Sequence, residues 1–331
     1  MKLLLTDCAT LKANGDLSLD SFKQFGEVTE YENISPAELL REVADTDIIL
    51  CNKTIINKEV FDSAPRLKYI GLFATGYNNI DTEYAAKRGV TVCNAGGYST
   101  NAVAQQVIGY ILMHYTKIPQ YDAFVKSGGW KNAEVFSPLV LSTEEVFGKT
   151  LGIVGYGSIG KAVERAAKGL GINVLVYTRT VRENGETRFV DFDTLLNESD
   201  IISLHCPLNE QSADMMNKES FDKMKDGAFF INTSRGGTVD EDALYNALNT
   251  GKLSGAAVDV LKTEPQSQKS RLEKAPNIII TPHTSWAPLA TRNRLLGIVE
   301  DNIKAFLAGK PQNKIIKQIK IWAVKKTNRN L

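Results

Sequence analysis

The sequence predicts an α/β protein of two domains, and three observations carry that expectation. Short apolar runs alternate with segments of helical period along the whole chain, the pattern of strands joined by helices. The 331 residues are about twice the length of a typical domain. Midway along, a Gly-x-Gly-x-x-Gly fingerprint follows an apolar strand and opens a helix, as a doubly wound, dinucleotide-binding parallel sheet requires.

In the first hundred residues, strands are expected near 2–6, 27–31, 47–51, 68–73 and 91–93. Helices fall between them. In 35–43, Ser35 is the N-cap and Pro36 takes the first helical position, where its missing N–H leaves nothing unsatisfied. Residues 101–115 read as a long helix, apolar at Val103, Val107, Ile111 and Leu112. The stretch 119–147, with Gly128-Gly129-Trp130 and Pro138, reads as irregular. At that length it is expected to be functional or an arm that packs on a partner subunit. From Lys149 a second α/β run has strands near 150–154, 173–177, 201–205, 227–232, 256–260 and 277–280. Helices 158–170 and 241–249, the latter stopped by Gly251, lie among them, and 287–307 is a final long helix. The expected layout is a first domain over 1–99, a dinucleotide-binding domain over 100–286, and a return to the first domain over 287–331.

Composition sets bounds. Hydrophobic residues at 43% and charged residues at 23% describe an ordinary globular chain whose core needs no staples. With 39 basic and 38 acidic side chains, no global field recruits nucleic acid. From 312 to 331 there are six bases and no acids, leaving 33 bases against 38 acids, a net −5, in residues 1–311. Cys8, Cys51, Cys93 and Cys206 lie far apart, which argues against a zinc site or a disulfide framework. No metal is expected. No apolar run reaches the ~20 residues that span a bilayer, so no membrane role and a reduced, cytoplasmic setting are expected.

The fingerprint is Gly155-Tyr156-Gly157-Ser158-Ile159-Gly160. Gly155 allows the tight turn, Gly157 lets the backbone approach a pyrophosphate, and Gly160 permits close helix–strand packing. The free N–H groups of the helix start then face the phosphate charge. An acid about 20 positions on would accept the ribose 2′-OH of NAD. Here Thr178 stands in that place and Arg179 follows, which suits a 2′-phosphate and favours NADP over NAD. The other reading makes Arg179 a solvated loop residue, with NAD bound through its ribose.

The chain has three histidines. His114, inside a helix pattern, reads as packing or surface. His205 ends a strand before Cys206-Pro207, at the edge of the sheet where ligands bind, and is expected to touch the cofactor. His283, in TPHTSW just past another strand, is the candidate proton donor. Arg235, in INTSRGG, and Glu264, in DVLKTEP, share that carboxyl edge. An arginine fork is the natural partner of a substrate carboxylate, and a glutamate beside a histidine favours the imidazolium. Taken alone, the same two residues also read as surface groups at loop ends.

Seven motifs then stand in order: FATGYNNID (73–81), AVAQQ (102–106), GKTLGIVGYGSIG (148–160), LHCPL (204–208), INTSRGG (231–237), AAVDV (256–260) and TPHTSW (281–286). With them the chain resembles the D-isomer-specific 2-hydroxyacid dehydrogenases from about 40 to 312, and its AVAQ form and Trp286 are most similar to the glycerate dehydrogenase/hydroxypyruvate reductase branch. The resemblance implies a Rossmann-type domain plus a discontinuous, flavodoxin-like substrate domain, and hydride exchange between NAD(P)H and a small 2-oxo acid. It implies that Arg235 binds the carboxylate and carbonyl oxygen, that His283 protonates that oxygen, and that Glu264 orients His283. The amides of Thr75 and Gly76 would hold the carboxylate, Asp259 would contact the nicotinamide amide, and Thr233, Ser234 and Arg235 would line the same pocket. The family is usually dimeric, which gives 119–147 a purpose as a dimer arm.

Three departures stand out. Asn209-Glu210-Gln211-Ser212 replaces a stretch that often carries Thr, and the acid near Thr178 is missing. The basic end runs past the family's expected stop and reads as a solvated or subunit-packing tail. The function expected is reduction of hydroxypyruvate or glyoxylate. The alternative carried with it is a dinucleotide-sensing regulator with little turnover, since a fold does not fix a function.

Overall fold

A computed structural model describes residues 1–181, 185, 187–266 and 270–315. Its internal contacts divide the chain into two units. Met1–Tyr98 joins the chain from Leu289 onward, and Ser99–Pro288 forms the second unit.

The first unit holds five parallel strands: β1 (Lys2–Leu5), β2 (Glu27–Glu30), β3 (Ile48–Cys51), β4 (Tyr69–Leu72) and β5 (Thr91–Cys93). Their order is β2-β1-β3-β4-β5, a flavodoxin-like sheet. β3 (IILC) and β4 (YIGL) are buried along their whole length, because helices cover both faces of a parallel sheet and the strands need no polar side. Short polar side chains begin the surrounding helices. Ser35 accepts from Glu38 N in a capping box, Asn57 accepts from Val60 N, and Asp81 accepts from Tyr84 N.

The returning helix Leu289–Leu307 completes this unit. Its buried Arg292 donates to Asp16 at 2.7 and 2.6 Å and to the Leu11 carbonyl at 2.8 Å. Asn302 donates to the Asn94 carbonyl at 3.0 Å. Beyond the helix, Lys314 forms an antiparallel bridge with Cys93, and Ile315 N donates to the Val92 carbonyl at 2.8 Å. The first residues of the expected tail are therefore tied to β5, while Lys317, Lys320, Lys325, Lys326 and Arg329 lie outside the described residues.

The second unit holds seven parallel strands: β6 (Thr150–Val154), β7 (Asn173–Tyr177), β8 (Arg188–Phe189), β9 (Ile201–Leu204), β10 (Ala228–Asn232), β11 (Leu253–Val258) and β12 (Ile278–Ile280). The order β12-β11-β10-β9-β6-β7-β8 is a doubly wound Rossmann sheet whose direction of winding reverses between β6 and β9. One face packs on Ala104, Val107 and Ile111 of helix Thr100–Thr116 and on Val163 and Ala167 of helix Ser158–Lys168. The other face buries Leu195, Phe221, Leu244 and Leu248. His114 is half-buried, stacked on Phe229 with ring centroids 4.0 Å apart and 3.0 Å from Ser254 Oγ. Burial pushes its imidazole down to about 4, so it packs as a neutral ring.

The stretch 119–147 is not irregular throughout. Helix Ile118–Lys126 opens it, with Pro119 in its first turn and Asp122 paired to Lys126 one turn on. A proline is tolerated at a helix start, where its missing N–H leaves nothing unsatisfied. The rest is pinned by Tyr121, whose hydroxyl donates to the Leu141 carbonyl at 3.0 Å, and by Trp130, whose indole donates to the Phe136 carbonyl at 2.9 Å. Phe136 and Leu139 nevertheless stand 89% and 88% exposed.

Candidate active site

Where the Rossmann sheet reverses, the chain leaves β6 through the glycine loop and leaves β9 through His205-Cys206-Pro207. Between them lies a cavity of about 1180 Å³. Gly155 has φ +98°, and a Cβ there would sit 2.7 Å from the His205 carbonyl carbon, so only glycine lets the two loops meet. At Gly157, the N-cap of helix Ser158–Lys168, a Cβ would meet no atom within 4 Å. The helix start therefore faces open space, and its free N–H groups suit a phosphate.

Gly155, Tyr156, Gly157, Ser158, Thr178, Arg179, His205, Cys206 and Pro207, all singled out from the sequence, line this cavity. Ile159 packs toward the core instead. Sequence reasoning did not single out Lys161, which also lines the cavity with its ammonium 5.4 Å from the Tyr156 ring centroid. A base in the first turn of a phosphate-facing helix was the available signal. The described lining carries two cations, Lys161 and Arg179, and no carboxylate.

Tyr156 is fixed from outside by bonds of its hydroxyl to Glu164 and to Thr187 Oγ1. Burial alone would raise the Glu164 carboxyl, but hydrogen bonds from Tyr156, Lys168 and Thr187 outweigh it and hold the group below its usual range. His205 has its Nε2 3.0 Å from Ser203 Oγ, while Nδ1 is buried with no protein partner. Burial pushes this imidazole down to about 4. Thr233 Oγ1 is likewise buried without a partner. Buried polar atoms in native proteins are normally satisfied, so the open helix start, the two orphaned atoms and the cationic lining together fit a dinucleotide.

The second cluster lies at the ends of β10, β11 and β12. Asn232 anchors the turn after β10. Its Oδ1 accepts from Ser234 N and Oγ at 3.0 and 2.9 Å, and its Nδ2 donates to the Arg235 carbonyl at 3.0 Å. At Gly236 a Cβ would lie 1.9 Å from the Leu261 carbonyl carbon, so glycine lets the Arg235 turn close on the loop that carries Glu264. Glu264 Oε1 accepts from Leu261 N at 3.0 Å, and Oε2 lies 2.7 Å from His283 Nδ1. Pairing through Nδ1 leaves the far nitrogen, Nε2, turned away from the carboxylate.

His283 itself sits in the left-handed region, φ 55°, a conformation that costs a non-glycine residue about 1 kcal/mol or more. Asp259 holds it there. The Asp259 carbonyl accepts from His283 N at 2.8 Å. Its buried carboxylate accepts from Thr281 Oγ1 at 2.5 Å, Thr284 N at 2.9 Å and Ser285 N at 3.0 Å. Sequence reasoning named Asp259 only for a cofactor contact and missed this second job.

Thr75 and Gly76 belong to the first unit, in the turn after β4. Thr75 Oγ1 donates to the Ala95 carbonyl at 2.8 Å, and Asn94 Nδ2 donates to the Thr75 carbonyl at 2.7 Å. Tyr98 is buried, and its carbonyl accepts from Arg294 at 2.7 Å. Among the described residues no cluster of His, Cys, Asp and Glu could hold a metal ion, and no helix is long and apolar enough to cross a membrane.

Comparison with known proteins adds a family. The profile described as D-isomer specific 2-hydroxyacid dehydrogenase, NAD binding domain, matches residues 108–285. A hydroxypyruvate reductase of Blautia hydrogenotrophica is 38% identical over 323 residues, 96% of this chain and 100% of its own length. A glyoxylate reductase of Thermococcus litoralis is 40% identical over 288 residues, 85% of this chain and 87% of that one. Among solved structures, an NADPH-dependent glyoxylate/hydroxypyruvate reductase from Sinorhizobium meliloti superposes with a TM-score of 0.82 at 28% identity, covering 95% of this chain and 97% of that one.

Proposed function

Because the chain belongs to the D-isomer-specific 2-hydroxyacid dehydrogenases and is thus an NAD(P)-dependent oxidoreductase, we propose that it reduces hydroxypyruvate or glyoxylate to the 2-hydroxy acid, with NADPH preferred over NADH. The observation that carries the chemistry is the Glu264–His283 pair, 2.7 Å apart, at the same carboxyl edge as Arg235. Reduction places negative charge on the carbonyl oxygen. Arg235 compensates it as a fixed cation, and the His283 Nε2 proton neutralises it. Glu264 accepts from Nδ1–H and so fixes the tautomer and plane of the ring. The amides of Thr75 and Gly76 take the substrate carboxylate.

The loop Gly155–Gly160 and the start of its helix hold the pyrophosphate, His205 and Thr233 supply polar partners, and Asp259 and Ser234 stand at the nicotinamide end. A dihydronicotinamide bound there supplies the hydride. Preference for NADPH is supported by Thr178 in place of an acid and by the two cations of the lining. Arg179 Nη1 donates to Gln211 Oε1 at 2.7 Å, and a neutral amide leaves the guanidinium charge intact for a 2′-phosphate. The Sinorhizobium relative is itself described as NADPH-dependent.

A homodimer is supported by the arm, where Phe136, Leu139 and Phe147 are 75–89% exposed, more apolar surface than a lone subunit ordinarily leaves to water. Replacing Phe136 and Leu139 together by lysine should turn a dimer into a monomer in sedimentation. The four free cysteines fit a reducing, cytoplasmic compartment.

The deciding experiment is loss of 340 nm absorbance with hydroxypyruvate, glyoxylate, pyruvate and a bulky 2-oxo acid, each with NADPH and with NADH. Fast oxidation with a small acid, better with NADPH, is the expected result. Tight dinucleotide binding without turnover on any of them would replace this reading by that of a sensor.

A further inference from the structure

The flavodoxin-like sheet has its own reversal of strand order, between β1 and β3, the place where such sheets take their ligands. Here the chain fills that place itself. Asp7, two residues past β1, is 3% exposed. Its carboxylate accepts from three successive backbone N–H groups after β3, those of Asn52 at 2.8 Å, Lys53 at 2.6 Å and Thr54 at 2.9 Å. Thr54 Oγ1 adds a fourth bond at 3.1 Å, and Asn52 Nδ2 donates to Thr10 Oγ1 at 3.0 Å. Successive amides converging on one anion form a nest of the kind that binds phosphate elsewhere.

The segment so fixed passes its position on. Asn79 Nδ2 donates to the Thr54 carbonyl at 2.8 Å, Ile56 N donates to the Asn79 carbonyl at 2.9 Å, and Asp81 N donates to the Ile56 carbonyl at 2.9 Å. Asn79 lies in the turn after β4 that also carries Thr75 and Gly76. A buried carboxylate is costly unless every lone pair is used, and this one is used to hold two loops at the carboxyl edge of the sheet.

We infer that Asp7 is a positioning residue for the substrate pocket: it fixes Asn52–Thr54 and, through Asn79, sets the Thr75–Gly76 turn without touching substrate. The inference rests on the reading of Thr75 and Gly76 as the carboxylate-binding amides. Asparagine is the informative replacement because it keeps the shape. With its oxygen in the Oδ2 place it still accepts from Lys53 and Thr54, but its NH2 then faces the Asn52 N–H, donor against donor.

In the full chain, Asp7→Asn should raise KM for the 2-oxo acid about tenfold while the Kd for NADPH stays within twofold. A merely structural loss would lower the melting temperature and leave KM alone. Amide hydrogen exchange should quicken at 52–54 and also at 75–79. If Asp7→Asn does not fold, Asn79→Ala removes the side-chain bond to the Thr54 carbonyl without stranding a charge and should raise KM about threefold. An unchanged KM in an enzyme that turns over, or unaltered exchange at 75–79, would overturn the inference. The exchange arm needs no turnover, so failure of the catalytic reading, seen as no 2-oxo acid reduction by the unaltered protein, is distinguishable from failure of this one.

Discussion

Two crevices of the same topological kind have been put to opposite uses in this molecule. In the Rossmann sheet, the reversal between β6 and β9 is held open: a Cβ on Gly157 would meet nothing, and His205 Nδ1 is buried without a partner. In the flavodoxin-like sheet, the reversal between β1 and β3 is closed by Asp7, whose carboxylate satisfies the amides of Asn52, Lys53 and Thr54. The first crevice leaves polar groups waiting, as a site that exchanges a ligand must. The second satisfies its own polar groups, as a site that supports another must. Unsatisfied donors and acceptors, more than strand order, tell a binding crevice from a braced one.

That contrast can be sharpened by experiment. The largest effect is expected at His283, the proposed proton donor: His283→Gln should cut kcat by roughly 10²- to 10⁴-fold, with NADPH affinity nearly unchanged by titration of protein fluorescence. Normal turnover would remove His283 from that role. Next, Gly157→Val puts a side chain where the structure has only space, at an expected ~1–3 kcal/mol against the cofactor, or about 5- to 150-fold in Kd. Its melting temperature should hardly move; a large drop would mean the space is part of the core. Arg179→Ala should weaken NADPH about tenfold and leave NADH alone, and equal loss of both would refute a 2′-phosphate contact.

The smallest effect is on stability, and it also divides the two regions. All three histidines lie between Ser99 and Pro288, and the imidazoles of His114 and His205 are pushed by burial to about 4, below the ~6.5 of an unfolded histidine. The unfolded chain therefore binds more protons between those values, and stability falls as the pH drops from about 6.5 toward 4. Each costs roughly 1 kcal/mol at pH 6 relative to pH 8. In the first unit, the hydrogen bond from Arg292 holds Asp16 down at about 2. The contribution of Asp16 is present above the unfolded value of a carboxyl and is lost only as the pH approaches 2. Exchange protection in mild acid should therefore fail first within 99–288. Equal loss in both units would contradict this assignment.

Much of this was legible in the sequence because it is local. Apolar runs such as Thr150–Val154 and Ala228–Asn232 can hardly be anything but buried strands, and a glycine triplet between strand and helix has few other physical uses. Arg235, Glu264 and His283 could be singled out because each stands just past such a run. Features set by partners far along the chain were not legible. Asp7 looks like any solvated acid at a strand end until residues 52–54 are seen folding around it. Asp259 hides its grip on Thr281, Thr284 and Ser285 for the same reason. Helix Ile118–Lys126, nine residues with none of them buried, shows no apolar face to read, and β8, two residues long, carries too little pattern to register.

The grip of Arg292 on Asp16 has a consequence for how the chain is made. Those partners are 276 residues apart in sequence. At roughly 5–20 residues per second, a ribosome needs ~15–60 s to deliver Arg292 after Asp16 has emerged. Until then the sheet β1–β5 lacks the helix Leu289–Leu307 that completes its unit, whereas Ser99–Pro288 is one continuous stretch. Of the two units, the one that the ribosome begins earlier is thus the one completed later.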